Sequence, residues 1–278
     1  MTSLKLFLSF CHLDIPSLLI AAALIVFHYI TNGYRFNRKS YLYLSGVLLF
    51  LISTLSPLSY LAKYYLFSAH MTKHIIILLI VPPMLVSSTN PDFLKKIFKN
   101  KKSRGIGKFL FYPIVSWTLG VGSMWVWHIP SLYLEMEKSP LLQLFQMISL
   151  LILGVIFIYP VYTPISFRKL HPLKCSLYLF TACVGCTVLG ILITFAPAGI
   201  YTTWSTIGNN PAILNLIRER WGINPSTDQQ MGGLIMWVPA CFVYLTNVLI
   251  TISKWYRLSE QDISVDEDEL LTRKLNLP

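Results

Sequence analysis

The chain has 278 residues, of which 54% are hydrophobic types and only 13% are charged, and its mean hydropathy is +0.58. A soluble domain carries about a quarter charged residues, so this composition excludes an ordinary water-soluble globule and points to a bilayer as solvent. The net charge of +11 does not mark a nucleic-acid binder, because the Lys and Arg residues sit in short segments between apolar runs, as membrane topology requires.

Met1 to Phe10 hold one Lys and an apolar stretch, no small-residue cleavage site follows, and Asp14 interrupts. No removable signal peptide is expected. Seven apolar runs then succeed one another, at residues 15–31, 41–57, 64–86, 109–127, 140–161, 175–196 and 229–253. A span needs about 20 apolar residues, and the first two runs, at 17 each, are the shortest. The runs are continuous rather than alternating. A bilayer admits only helices or closed barrels, so the reading is an all-α integral membrane protein, a bundle of about seven transmembrane helices. Pro82-Pro83 in the third run should kink or end that helix, and Pro239 should kink the seventh.

The segments after helices one, three and five, with the tail, hold seventeen of the 23 Lys and Arg residues. The opposite side holds five, and Lys73 lies inside a span. Without the tail the ratio is still thirteen to five. The positive-inside rule therefore places the N-terminus outside and the C-terminus in the cytoplasm. The longest outer segment, 197–227, contains Tyr201, Trp204, Trp221 and Pro225, and part of it is expected on the membrane surface. Residues 1–258 form one domain on this reading. Residues 259–278 are acidic and poor in aromatics and read as a disordered cytoplasmic tail. No internal repeat is visible.

On this topology His12, His70, His74 and His128 fall toward the outer face, whereas His28 and His171 lie on the cytoplasmic side. His70 and His74 are four residues apart and share a helix face. Met71 and Met124 lie at similar depth, and helix seven begins with Asp228-Gln229-Gln230-Met231. Imidazole with thioether suits copper, and the thioether favours Cu(I) over Zn. Ionisable groups in a bilayer are costly and count as functional candidates. The plainer alternative is a His pair that only hydrogen-bonds to neighbouring helices, with methionines that only pack.

Cys11, Cys175, Cys183, Cys186 and Cys241 lie mostly in or beside apolar runs, which argues against a disulfide framework. Cys183-Val-Gly-Cys186 has C-x-x-C spacing, but a dithiol redox motif sits in a solvent-accessible context. In mid-membrane it reads as helix packing. Lys73 either snorkels outward or pairs with an acid such as Asp228.

Three segments carry a resemblance. The first is His70-Met71-Thr72-Lys73-His74 followed by Val81-Pro82-Pro83-Met84-Leu85. The second is His128-Ile129-Pro130-Ser131-Leu132-Tyr133. The third and most specific is Asp228-Gln229-Gln230-Met231-Gly232-Gly233-Leu234-Ile235-Met236-Trp237-Val238-Pro239. In this order they resemble the H-M-x-x-H…P-P-x-L, H-x-P-x-L-Y and D-Q-x-x-G-G-x-I-M-W-V-P blocks of the CtaG-type assembly factors of caa3 cytochrome c oxidase. The likeness spans residues 15–253. It implies a non-enzymatic, multi-pass protein of a bacterial plasma membrane that helps copper reach the catalytic subunit of a haem–copper oxidase. Its partners would be that subunit and a copper donor protein.

The metal-binding residues expected from the histidine reading and the resemblance together are His70, His74, His128, Met71, Met147 and Asp228. One departure stands out. The family's fifth helix carries a further His and a Glu-His pair, where this chain has Gln143 and Gln146-Met147. Two imidazoles and a carboxylate are missing, although Met147 can still offer a soft ligand. The alternative function is a haem-binding membrane redox protein of cytochrome b type, which needs His pairs facing each other across two helices. A transporter would show repeated halves with broken helices, and none is seen.

Overall fold

A computed structural model of the chain describes residues 14–32, 36–201 and 210–275, apart from the side chains of 254 and 258–275. The expectations for His12, Cys11 and Trp204 fall outside those residues. All regular structure among the described residues is helical. In chain order the helices are α1 (Ile15–Thr31), α2 (Arg38–Leu55), α3 (Pro57–Tyr64), α4 (Phe67–Ser88), α5 (Pro91–Ile97), α6 (Lys101–Leu110), α7 (Pro113–Trp127), α8 (Pro130–Lys138), α9 (Pro140–Tyr162) and α10 (Pro172–Phe195). Two more follow: α11, which is Pro211–Asn215 prolonged by a π-helical turn over Leu216–Arg220, and α12 (Pro225–Leu275).

Eight of these twelve helices open on proline, and the reason is local. The first helical N–H has no partner within the helix, so proline loses nothing there, and its fixed φ already suits the helix. Sequence reading by hydrophobicity starts α10 at residue 175 and α12 at 229. The prolines place the starts at Pro172 and Pro225. At α2 an Asn37–Ser40 capping box sets the start instead.

Among the described residues four helices are long and apolar enough to cross a membrane: α4, α9, α10 and the Pro225–Arg257 part of α12. Two more spans result if bent pairs count as one each, α2 with α3 at 46° and α6 with α7 at 61°. The expected second run falls almost wholly in α2 and most of the fourth in α7, each beside a break where it meets the neighbouring helix. Ser56-Pro57 and Tyr112-Pro113 make these breaks, since the residue before proline is pushed out of the helical region. The structure carries α12 without a break past residue 258 to Leu275, so no change of backbone marks the expected tail. Leu and Glu recur in that acidic segment, and both are good helix formers that prolong a helix already begun.

α4 is the central span, with 67% of its apolar window buried against 39% for α9 and α10. It packs against α12, α9 and α2, while α10 lies along α12 and α9 along α7. The core between them contains Phe50, Phe67, Met71, Leu78, Met124, Leu150, Leu179 and Met236. Pro82-Pro83 neither end nor break α4. Pro82 offers no N–H, and its ring crowds the carbonyl four residues earlier. A π-helical turn over Ile76–Ile80, with the Val81 N–H bonded to the Ile76 carbonyl, absorbs the mismatch. Gly154 of α9 packs there: a Cβ on it would lie 2.6 Å from the Leu78 carbonyl oxygen and 2.7 Å from Pro82. Pro239 likewise sits inside an uninterrupted α12.

Candidate functional site

The site begins with the anchoring of α4. Asp228, in the first turn of α12, is fully buried. Its carboxylate accepts from the Phe67 N–H at 2.7 Å, the Ser68 N–H at 3.1 Å and the Ser68 hydroxyl at 2.5 Å. These are the first amides of α4, which have no partner within the helix, and the carboxylate also complements the positive end of the helix dipole. Expected as a ligand, Asp228 has its oxygens engaged in holding the histidine-bearing helix. Gln229 fixes the same corner from the other side. Its amide donates to the carbonyls of Ile193, Ala196 and Pro197 at 3.0–3.3 Å, tying the end of α10 to the start of α12.

One turn into α4, His70 and His74 place their rings 4.2 Å apart. His128, just past the end of α7, brings its ring to 5.3 Å from that of His74. Nε2 of His70 is buried with no hydrogen-bond partner, and the buried His74 ring has the Gln146 side chain beside it. His128 Nδ1 bonds the Met124 carbonyl, and its Nε2 lies 3.2 Å from Met71 Sδ. A carbonyl can only accept, so Nδ1 carries the hydrogen, and the Nε2 of a neutral ring is then an acceptor. A thioether sulfur is also an acceptor. Two lone pairs thus face each other at a buried point. A ligand imidazole typically donates its other N–H to a backbone carbonyl in this way. The Tyr201 hydroxyl donates to the His128 carbonyl at 2.7 Å. Phe67, Tyr133 and Tyr201 pack ring to ring above, with Tyr133 edge-on to His70.

Beside the histidines lies a cavity of about 400 Å³. His70, His74, Lys73, Glu137, Gln146 and Met147 share its wall. Met147 Sδ lies 3.5 Å from the Ser17 hydroxyl, which donates to the Asp14 carboxylate. The Gln146 amide is buried beside His74, and Gln143 is turned back to the Glu137 carbonyl at 3.0 Å. Lys73 donates to Ser59 Oγ at 3.3 Å and, among the described residues, makes no ion pair. The suggested pairing with Asp228 is absent, because Asp228 serves the α4 amides. Burial lifts the carboxyl of Glu137, in α8, from its ordinary range to about 7.

The structure therefore brings His70, His74, His128 and Met71 into one cluster, sets Met147 on the adjoining wall and gives Asp228 an anchoring role. Among the described residues no three His, Cys, Asp or Glu side chains are arranged to hold a metal ion. Any ion at the cluster would therefore draw on the thioether as well as imidazole. His28 stands apart, stacked on Tyr43 with Asn32 at its Nε2. His171 caps α10 and faces Trp255. Sequence reasoning missed Tyr201, whose partner is 73 residues away, and Cys241, which meets Cys183 across two helices. No local spacing signals either contact.

Fold and site together define a class: an all-helical protein with several membrane-length apolar helices and a buried imidazole–thioether cluster beside a polar cavity. The chain belongs to the cytochrome c oxidase caa3 assembly factor family (Caa3_CtaG), whose family model matches residues 15–258. That match takes in all three motif segments. Neither a curated protein nor a solved structure matches the chain.

Proposed function

We propose that the protein assists assembly of a haem–copper oxidase by holding copper, as cargo, at the outer membrane face and passing it to the catalytic subunit within the same bilayer. His70, His74, His128 and Met71 would hold the ion, with Met147 on the path through the cavity. The observation that carries this reading is the contact of His128 Nε2 with Met71 Sδ, two acceptors that a cation between or beside them would satisfy. The buried, unpartnered Nε2 of His70 supports it. Imidazole and thioether are neutral, soft donors suited to Cu(I), and a neutral, incomplete ligand set favours release. Gln143 and Gln146 in place of imidazole and carboxylate weaken retention further. No observation favours the haem reading.

On this proposal the chain crosses the membrane seven times, with α1 as the first span, the N-terminus outside and the C-terminus cytoplasmic. The charge asymmetry supports that orientation. A copper donor protein would load the cavity from the outer side.

The test is oxidase activity and oxidase copper content per unit of membrane-inserted protein in a strain carrying His70→Ala with His74→Ala. Loss of both at normal abundance is expected. If the pair only bridges helices, each substitution costs about 0.6 kcal/mol and oxidase activity stays normal. That outcome would remove the pair from the mechanism.

A further inference from the structure

Away from the histidines, sulfur collects between α7, α10 and α12. Cys183 Sγ of α10 lies 2.7 Å from Cys241 Sγ of α12, and Thr187 Oγ1 lies 3.4 Å from Cys241 Sγ. Cys186, three residues along α10, turns elsewhere. Its thiol is 3.4 Å from Met124 Sδ and 3.3 Å from the Tyr244 hydroxyl. The C-x-x-C pair of the sequence is thus split, and Cys183 is matched across helices rather than along its own. Cys183, Cys186 and Cys241 are free thiols. Cys186 is buried, whereas Cys183 and Cys241 line an apolar groove of about 590 Å³ between α10 and α12.

We propose that Cys183 and Cys241 form a second metal site on this protein, binding a soft monovalent cation of the Cu(I) class. Two thiols on separate helices converge on one point, and once their rotamers part from the 2.7 Å contact they can flank a two-coordinate closed-shell ion. The groove wall is largely apolar, so a hard, strongly hydrated cation finds too few oxygen ligands to replace its water. Soft sulfur selects Cu(I) or Zn. Zn asks for four ligands, and beside the two thiols only the Thr187 hydroxyl is at hand. Charge balance points the same way, because an isolated charge in an apolar medium is costly. One Cu(I) binding to one thiolate and one thiol releases one proton and leaves a neutral site. No electron changes hands.

Met124 touches the histidine cluster through its carbonyl and Cys186 of α10 through its sulfur. The thiol site does not depend on the histidine reading, and the two can be tested apart.

The experiment uses the full chain, purified in detergent, reduced and kept anaerobic. Cu(I) is titrated in against a chromophoric Cu(I) chelator while the thiolate-to-Cu(I) charge-transfer absorption is followed. Cys183→Ser with Cys241→Ser should bind one Cu(I) fewer than wild type and lose the band. His70→Ala with His74→Ala should keep it. A band undiminished in the double Cys variant, or absent from wild type, overturns the proposal. Should the Cys variant fail to fold, wild type alone decides. Cu(I) should protect Cys183 and Cys241 from maleimide alkylation, read peptide by peptide by mass spectrometry, and equal labelling with and without the metal overturns the proposal.

Discussion

Asp228 accepts three hydrogen bonds at the start of α4, so its removal acts on the histidines through the helix that carries them. Asp228→Ala leaves buried donors unpaired, at about 1–3 kcal/mol for each such group. The expected result is a lower melting temperature in detergent, with Asp228→Asn partly restoring it. An unchanged melting temperature in the alanine variant would contradict the anchoring role. Glu137 makes a pH prediction. Its carboxyl is raised to about 7, so it is largely neutral below that pH and ionised above it. As pH rises through about 7, the cavity wall that carries His70, His74 and Lys73 gains a negative charge. Copper uptake should tighten over that interval, and Glu137→Gln should flatten the step. His70 and His74 also face the cavity, so the readout is the difference between variant and wild type. At this scale the sequence reveals residue types more than roles. The spacing of His70 and His74 announces a shared face. Nothing near Asp228 says that its partners stand about 160 residues earlier, and a buried carboxylate reads equally as ligand or cap.

In α4 a proline pair does not act as a stop. Pro82-Pro83 predict a kink or an end, and the helix does not end there: it runs from Phe67 to Ser88, with the π-helical turn taking up the missing bond. The turn works only with close packing against α9, which Gly154 supplies. Gly154→Ala would put a methyl 2.6 Å from the Leu78 carbonyl oxygen, and overpacking of this kind costs about 1–3 kcal/mol. Reduced thermal stability is expected, together with a lower yield of inserted protein. Gly122, with open space around its Cβ position, is the control, and equal losses in both alanine variants would sink the packing argument. The apolar runs were legible to within a few residues, because burial in lipid writes itself as continuous hydrophobicity. The breaks at Ser56 and Tyr112 were not, since each depends on how the following proline-led segment packs.

For the whole molecule, composition alone identifies the solvent, and the motif segments identify the family. The meeting of α4, the end of α7 and the start of α12 is a tertiary fact. It rests on contacts such as Tyr201 to His128 and Asp228 to Phe67 that join distant parts of the chain. A reporter fused after Pro278 should be active only in the cytoplasm if the charge count sets orientation, and activity on the outer side would reverse the topology. The central claim is that imidazole and thioether from α4 and the end of α7 hold one soft ion. Copper K-edge X-ray absorption reads this most directly, on the Cu(I)-loaded protein with Cys183→Ser and Cys241→Ser in place. The account predicts imidazole scattering together with a sulfur neighbour, lost when His70→Ala and His74→Ala are added. A spectrum without imidazole scattering, or one unaltered by the histidine substitutions, would contradict it.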